Sequence, residues 1–222
     1  MGIPLRDISR RPTHRPVVTV AIIAINVVVF FLELAGGDAF VQKWSVIPAH
    51  IVAGQGWITI LTAMFMHGGW MHIIGNMVFF WAFGPAIEDA MGPIRYLAFY
   101  LLGGVVASLA QIFAASSSTV PNLGASGAIA AVMGAFIITY PRDKIRTLLI
   151  LGWFIDVTVI PAVVLIGLWF LIQLFSQVGA VASTESGGVA YMAHVGGFIF
   201  GAVSCRLFED SRRIAAQTVD VD

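Results

Sequence analysis

Charged residues are scarce in this chain of 222 residues: they make up 11% of it, against 59% hydrophobic residues. Soluble domains usually carry about 25% charged residues, so the composition excludes an ordinary soluble domain and predicts an integral membrane protein. Basic and acidic residues number twelve each and give a net charge of zero, so no nucleic-acid partner is indicated. The single cysteine, Cys205, excludes an internal disulfide.

Six apolar segments are candidates for membrane-spanning helices. A span needs about 20 mostly apolar residues, and continuous apolar runs differ from the alternating pattern of a membrane β-barrel. The predicted fold is therefore all-α: a polytopic six-helix bundle over residues 17–208, with tails at 1–16 and 209–222. The first segment is treated as a retained span, because no convincing signal-peptide cleavage site follows it. The six segments are Val17–Leu34, Trp57–Ile87, Tyr96–Ala115, Ala125–Tyr140, Pro161–Val178 and Tyr191–Phe208.

Basic residues set the predicted orientation. With the N-terminus in the cytoplasm, eleven of the twelve Lys and Arg residues fall on the cytoplasmic side and Lys43 alone falls outside. Both termini are therefore expected in the cytoplasm, and a bacterial cytoplasmic membrane is favoured. Of the connections, Thr147–Ile160 is predicted as a bent segment at the cytoplasmic interface, and Gly179–Ala190 as a flexible outer loop.

Four polar side chains stand inside the predicted spans, where such groups are costly and therefore suggest function. They are His72 and Asn76 on the second helix, Ser126 on the fourth and His194 on the sixth. These three helices run in the same direction, and each carries its polar residues near its outer end. The four side chains are thus expected at similar depth, in one site that opens to the outer face.

Ser126 lies in the sequence Gly124-Ala125-Ser126-Gly127. Taken alone, small residues of this kind more often serve close helix packing. A serine at a helix N-terminus, however, has free backbone N–H groups beside it, which can receive the oxyanion of a tetrahedral intermediate. The motif is therefore compatible with a packing role and with a nucleophile.

His194 begins a stripe with Gly197 and Gly201, at helical spacing. Ala130 and Gly134 follow Ser126 at similar spacing, so the two helices are expected to approach closely along these small residues. The imidazole would then reach the Ser126 hydroxyl as a general base, although a lone intramembrane histidine more often serves packing.

His72 and Asn76 are four residues apart and share one helix face. Their side chains suit an oxyanion hole, or alternatively an interhelical hydrogen-bonded pair that serves stability. His67 lies off that face and is predicted to be structural. Since His67 and His72 do not match the spacing H-E-x-x-H, no metal or other cofactor is predicted. No carboxylate is obviously placed to orient the general base, so the sequence favours a Ser–His dyad over a triad.

In combination, these motifs resemble the rhomboid family of intramembrane serine proteases. The match runs through Thr62–His67, His67-x4-His72-x3-Asn76, Gly124–Gly127 and Ala193-His194-x2-Gly197-x3-Gly201. The resemblance implies that Ser126 is the nucleophile, that His194 is its base and later acid, and that His72, Asn76 and the Ser126 N–H bind the oxyanion. Gly124, Gly127, Gly197, Gly201 and His67 would support them.

The resemblance also implies substrates: single-span proteins of the lipid bilayer, cut in or near their transmembrane segment. They would approach between the second and fifth helices, where Trp169 and Phe170 are predicted gate residues. The chain departs from the family pattern at Trp57-Ile58, where a Trp-Arg pair is frequent, and at Ala130, where an aromatic residue usually stacks on the catalytic imidazole.

Two other classes of function are weighed against a protease, and the oligomeric state is left open. A transporter would need polar residues that continue to the cytoplasmic side, whereas the lower halves of the second, fourth and sixth helices are apolar or small. A catalytically silent membrane chaperone of the same fold is opposed only by the intact Ser126 and His194.

Overall fold

The computed structural model describes residues 2–182 and 191–219. The helices in these ranges are α1 Val17–Trp44, α2 Pro48–Val52, α3 Thr59–Thr62, α4 Trp70–Met91, α5 Pro93–Ala114, α6 Ser126–Thr139, α7 Ala162–Ala182, α8 Tyr191–Phe208 and α9 Ser211–Ala216, with a 3-10 turn at Ala63–Phe65. The strands are β1 Gly2–Asp7, β2 Arg10–Arg11, β3 Lys144–Leu151, β4 Phe154–Pro161 and β5 Thr218–Val219.

Within the described ranges, four helices are long and apolar enough to cross a membrane: α1, α4, α5 and α8. α6 and the stretch Ala162–Ile172 of α7 are apolar but shorter. These helices agree with an integral membrane protein. The count of six spans and the side on which each terminus lies stay predictions.

Two of the predicted helix boundaries are wrong. The segment predicted as one helix over Trp57–Ile87 contains α3 and the 3-10 turn before α4 begins at Trp70, and α4 then continues to Met91. α1 extends ten residues beyond Leu34, across a break at Gly37. The predicted loop Gly179–Ala190 begins inside α7, and residues 183–190 lie outside the described part of the chain.

The all-α prediction misses a three-stranded sheet of order β1-β3-β4. β3 and β4 form an antiparallel hairpin from Lys144↔Pro161 to Leu151↔Phe154, so the segment predicted as a bent interfacial stretch is a hairpin. Its residues are rich in Val, Ile and Thr, which favour strands. β1, inside the predicted N-terminal tail, adds to β3, and β2 pairs with β5.

α6 lies at the centre of the fold. It contacts α4, α5 and α8, and every residue of Gly127–Phe136 is buried. A helix that is apolar all round is expected in such a position. Ser126, the first residue of α6, is therefore held at the end of the most enclosed helix among those described.

The end of α4 holds the start of α1. The Glu88 carboxylate accepts hydrogen bonds from the backbone N–H groups of Val18 and Thr19, each at 2.8 Å. These N–H groups lie in the first turn, where a helix leaves its donors without internal partners. Asp89 likewise accepts the Thr13 N–H at 2.9 Å. The two carboxylates fix the path of the chain into the first long helix.

Candidate active site

Ser126 and His194 meet at the ends of two neighbouring helices. Ser126 begins α6, and His194 lies in the first turn of α8. Ser126 Oγ is 2.7 Å from His194 Nε2, although the residues are 68 positions apart in the sequence. This distance lies within the roughly 2.6–3.2 Å expected between a nucleophile and its base.

The two helices are in backbone contact below this pair. A Cβ added at Gly197 would lie 2.1 Å from the carbonyl oxygen of Gly127, and one at Gly201 would lie 1.9 Å from that of Ala131. A Cβ at Gly134 would likewise lie 2.2 Å from the carbonyl oxygen of Phe198. The predicted close approach along small residues is confirmed for Gly134, whereas Gly127 and Ala131 take the place predicted for Ala130 in the α6 stripe. The stripe starts one residue after Ser126, which leaves the hydroxyl at the edge of the contact.

The imidazole of His194 is supported by α7. The Trp169 ring lies 5.6 Å from the His194 ring, centroid to centroid, at an interplanar angle of 47°. Phe170 stacks on Phe198 of α8 at 4.3 Å. An aromatic ring thus contacts the imidazole even though the position four residues after the serine is Ala130. The structure places both predicted gate residues against α8, and their gating role stays a prediction.

His72 faces the same point as Ser126. Its Nδ1 accepts the Gly68 N–H at 3.3 Å, so the neutral ring carries its proton on Nε2. A Cβ added at Gly124 would lie 3.1 Å from His72 Nε2 and 3.4 Å from Ser126 Oγ. Gly124 has φ = 139°, a conformation that favours glycine. It therefore leaves open the space between the imidazole donor and the hydroxyl.

Asn76 carries another side-chain donor, one helical turn after His72. Its side-chain Nδ2 is buried and donates no hydrogen bond within the described part of the chain. A buried donor without a partner costs about 1–3 kcal/mol, and such groups suit ligand binding. The backbone N–H of Ser126 is a third donor, because the first N–H groups of a helix have no partner inside it.

His67 contributes structure, and its backbone partner was missed by the sequence analysis. Its ring is buried, 5.1 Å from the His72 ring, and its backbone N–H donates to the Glu33 carboxylate at 2.9 Å. Glu33 is itself buried within α1. The sequence did indicate that Glu33 has a partner, since an acidic residue inside an apolar span is unusual.

A cavity of about 40 Å³ adjoins Ser126 on the side of α5, and its polar lining includes Ser108, Gln111 and Asn122. At about 10–15 Å³ for each water, it has room for two to four. Gln111 was also missed, although it is polar within a predicted span. Across residues 2–182 and 191–219, no three His, Cys, Asp or Glu side chains are grouped to hold a metal ion.

Comparisons with known proteins give the family context. Residues 54–209 match the family model described as Rhomboid domain. Rhomboid protein 1, mitochondrial, of Saccharomyces cerevisiae is 28% identical over 198 residues, which cover 86% of this chain and 53% of that protein. Rhomboid protease GluP of Bacillus subtilis is 29% identical over 191 residues, covering 84% of this chain and 34% of that protein. Rhomboid-like protein 11, chloroplastic, of Arabidopsis thaliana is 27% identical over 205 residues, which cover 88% of this chain and 66% of that protein. The chain thus spans about half of the yeast relative and about a third of the Bacillus relative.

Proposed function

Since the chain belongs to the rhomboid family, we propose that it is an intramembrane serine endopeptidase that works with a Ser126–His194 dyad. The observation that carries the proposal is the 2.7 Å contact between Ser126 Oγ and His194 Nε2. His72 Nε2 lies beside Gly124 close to the Ser126 hydroxyl, and the buried, unpartnered Asn76 Nδ2 supports its proposed role as a further oxyanion donor.

Each group has a role in the proposed reaction. Ser126 Oγ attacks the carbonyl carbon of a peptide bond while His194 Nε2 takes its proton. The oxyanion accepts hydrogen bonds from His72 Nε2, Asn76 Nδ2 and the Ser126 N–H. The intermediate collapses, His194 gives the proton to the leaving amine, and an acyl-enzyme remains. A water, deprotonated by His194, then attacks the ester carbonyl; the bond from the acyl carbon to Ser126 Oγ breaks, His194 returns the proton to Oγ, and the carboxylic acid product leaves.

The proposed substrates are single-span membrane proteins cut in or near their transmembrane segment. We expect them to reach Ser126 from the bilayer, between α4 and α7, with Trp169 and Phe170 at this opening. A bacterial cytoplasmic membrane is the proposed location, with the site open to the outer face. Relatives named as mitochondrial and chloroplastic make organellar membranes the alternative to test.

The direct test is cleavage of a labelled single-span substrate in proteoliposomes. Ser126→Ala should lower the rate by more than about a thousandfold, as loss of a nucleophile does in serine proteases. Ser204→Ala is the matched control, since Ser204 lies on α8 and its hydroxyl donates to the Phe200 carbonyl, and it should retain cleavage. Equal cleavage by the parent and Ser126→Ala would remove Ser126 from the mechanism. If the parent cleaved none of several substrates, the result would favour a helix-binding chaperone.

The role of His194 as a base predicts a pH dependence. Acidification protonates the imidazole, which can then no longer accept the Ser126 proton, so cleavage should slow as the pH falls. A rate that stays flat as the pH falls from about 8 to about 3 would contradict this role.

A further inference from the structure

An apolar groove of about 710 Å³ runs along the surface between α1 and α4. It extends from Trp70 and Phe31 at one end, past Val20 and Trp81, to Pro4 and Leu5 of β1. All of its lining residues are apolar. On a membrane protein, such a groove is open to the acyl chains of the bilayer.

A second cavity, of about 190 Å³, adjoins the groove at Trp81 and is lined by Arg6, Asp7 and Arg10. Arg10 is already paired with the Asp143 carboxylate, whereas Arg6 makes no ion pair with any described residue. Burial, together with the nearby Asp143 charge, raises the pKa of Asp7 to about 7. Asp7 is thus largely neutral in mildly acidic solution, where it would not repel an anion.

The sheet adds positive charge beside Arg6. Arg6 of β1 is directly opposite Arg146 of β3, and both are exposed. Like charges directly opposite each other destabilise an antiparallel pair, and an anion between them would relieve the repulsion. Lys144 is two residues from Arg146 on the same strand and therefore projects to the same face. Neither Arg146 nor Lys144 makes an ion pair within the described ranges.

We propose that these features together bind one anionic phospholipid of the phosphatidylglycerol class. An acyl chain lies in the α1–α4 groove, and the phosphate lies beside Arg6 and Arg146. The apolar groove calls for a lipid rather than a soluble anion, and the unpaired arginines select a negative headgroup over a zwitterionic one. Trp81 marks the boundary between the two parts, a position that tryptophan favours at membrane interfaces. This inference is independent of proteolysis.

The headgroup part is tested by lipid titration of the full-length protein in uncharged detergent, with bound lipid counted by native mass spectrometry. The parent should bind phosphatidylglycerol more tightly than phosphatidylcholine. The double variant Arg6→Gln/Arg146→Gln should lose roughly 25-fold in phosphatidylglycerol affinity, about fivefold for each charge. The control Arg95→Gln/Arg212→Gln removes two exposed charges outside the sheet and should keep the preference.

The role of the α1–α4 groove is tested by a substitution that places a bulky side chain in it. Val20→Trp should weaken the binding of both phosphatidylglycerol and phosphatidylcholine. Val28→Trp should leave their binding unchanged, because Val28 is a similarly exposed residue of α1 that lies outside the groove. Thermal unfolding of each variant confirms folding before its affinity is interpreted. Unchanged affinity in Arg6→Gln/Arg146→Gln or Val20→Trp, or equal loss in either control, would overturn the proposal. Displacement of phosphatidylglycerol by inorganic phosphate alone would also overturn it, in favour of a small-anion site.

Discussion

Gly201→Ala should separate α6 from α8, because Gly201 has no room for a side chain. The added Cβ would lie 1.9 Å from the Ala131 carbonyl oxygen and 2.6 Å from its carbon, both backbone atoms of α6. Relief of this overlap requires a movement of more than about 1 Å, and overpacking of this kind costs about 1–3 kcal/mol, occasionally more. Gly201 is seven residues from His194, or about 10 Å along the helix. The change therefore leaves every reacting group intact.

The consequence for the site follows from the geometry. If α8 moves outward by about 1 Å, the 2.7 Å contact between Ser126 Oγ and His194 Nε2 stretches beyond hydrogen-bond range. Misplacement of a reacting group by about 1 Å lowers the reaction rate roughly a hundredfold. We expect that loss in the rate at which a fluorophosphonate labels Ser126, together with a lower midpoint of thermal unfolding.

Gly167→Ala is the matched control, since an added Cβ there has no neighbour within 4 Å. Alanine favours helix over glycine by about 0.5–1 kcal/mol, so this variant should be as stable as the parent or slightly more so. It should also be labelled at the parental rate. If Gly201→Ala and Gly167→Ala behaved alike, close backbone packing would not position the dyad, and the argument from the glycine stripe would be refuted.

Changes at three further residues test the surroundings of the site and the first strand of the sheet. Glu33→Ala leaves the buried His67 N–H without its acceptor and should cost about 1–3 kcal/mol in unfolding free energy, while Glu33→Gln, which keeps an acceptor, should cost less. The pKa of Asp7 rises from 3.8 to about 7 on folding, so the stability it contributes is present below about pH 4 and lost as the pH rises through 7. Unfolding measured from about pH 4 to 8 should show this decline in the parent, and Asp7→Asn should abolish it. Trp169→Ala should slow labelling of Ser126 by up to about tenfold through loss of a ring contact with His194, and Trp169→Phe should retain more of the rate.

The residues of the site could be predicted from the sequence because each carries a local signal. Ser126, His194, His72 and Asn76 are polar within apolar segments, and their positions along helices of predicted direction predict that they lie at similar depth. Glycine at Gly197 and Gly201 likewise indicated close helix contact. The facing residues of α6 were harder to predict, because the rotation of one helix against another depends on packing that no single segment reveals.

The sheet could not be predicted by the same means. β3 and β4 are apolar enough to resemble membrane segments, and their alternation is masked because Leu148, Leu149 and Ile150 are consecutive. β1 pairs with a strand about 140 residues away, and such long-range pairing leaves no local trace. Glu33 differs from the sheet, because an acidic residue within an apolar segment is visible in the sequence. Its partner, the backbone N–H of His67, could be known only from the fold.

Trp169 of α7 contacts the His194 imidazole, a contact that the family pattern assigns to an aromatic residue at the position of Ala130. Where an aromatic ring on α6 would support the imidazole from the helix that carries the nucleophile, Ala130 leaves that position small, and Trp169 supplies the ring from α7. α6 is buried throughout Gly127–Phe136, whereas α7 exposes Val164, Leu168 and Leu171 on its outer surface. The orientation of His194 is therefore coupled to the less constrained helix. If substrates approach between α4 and α7 as proposed, any displacement of α7 during their passage would act directly on the base.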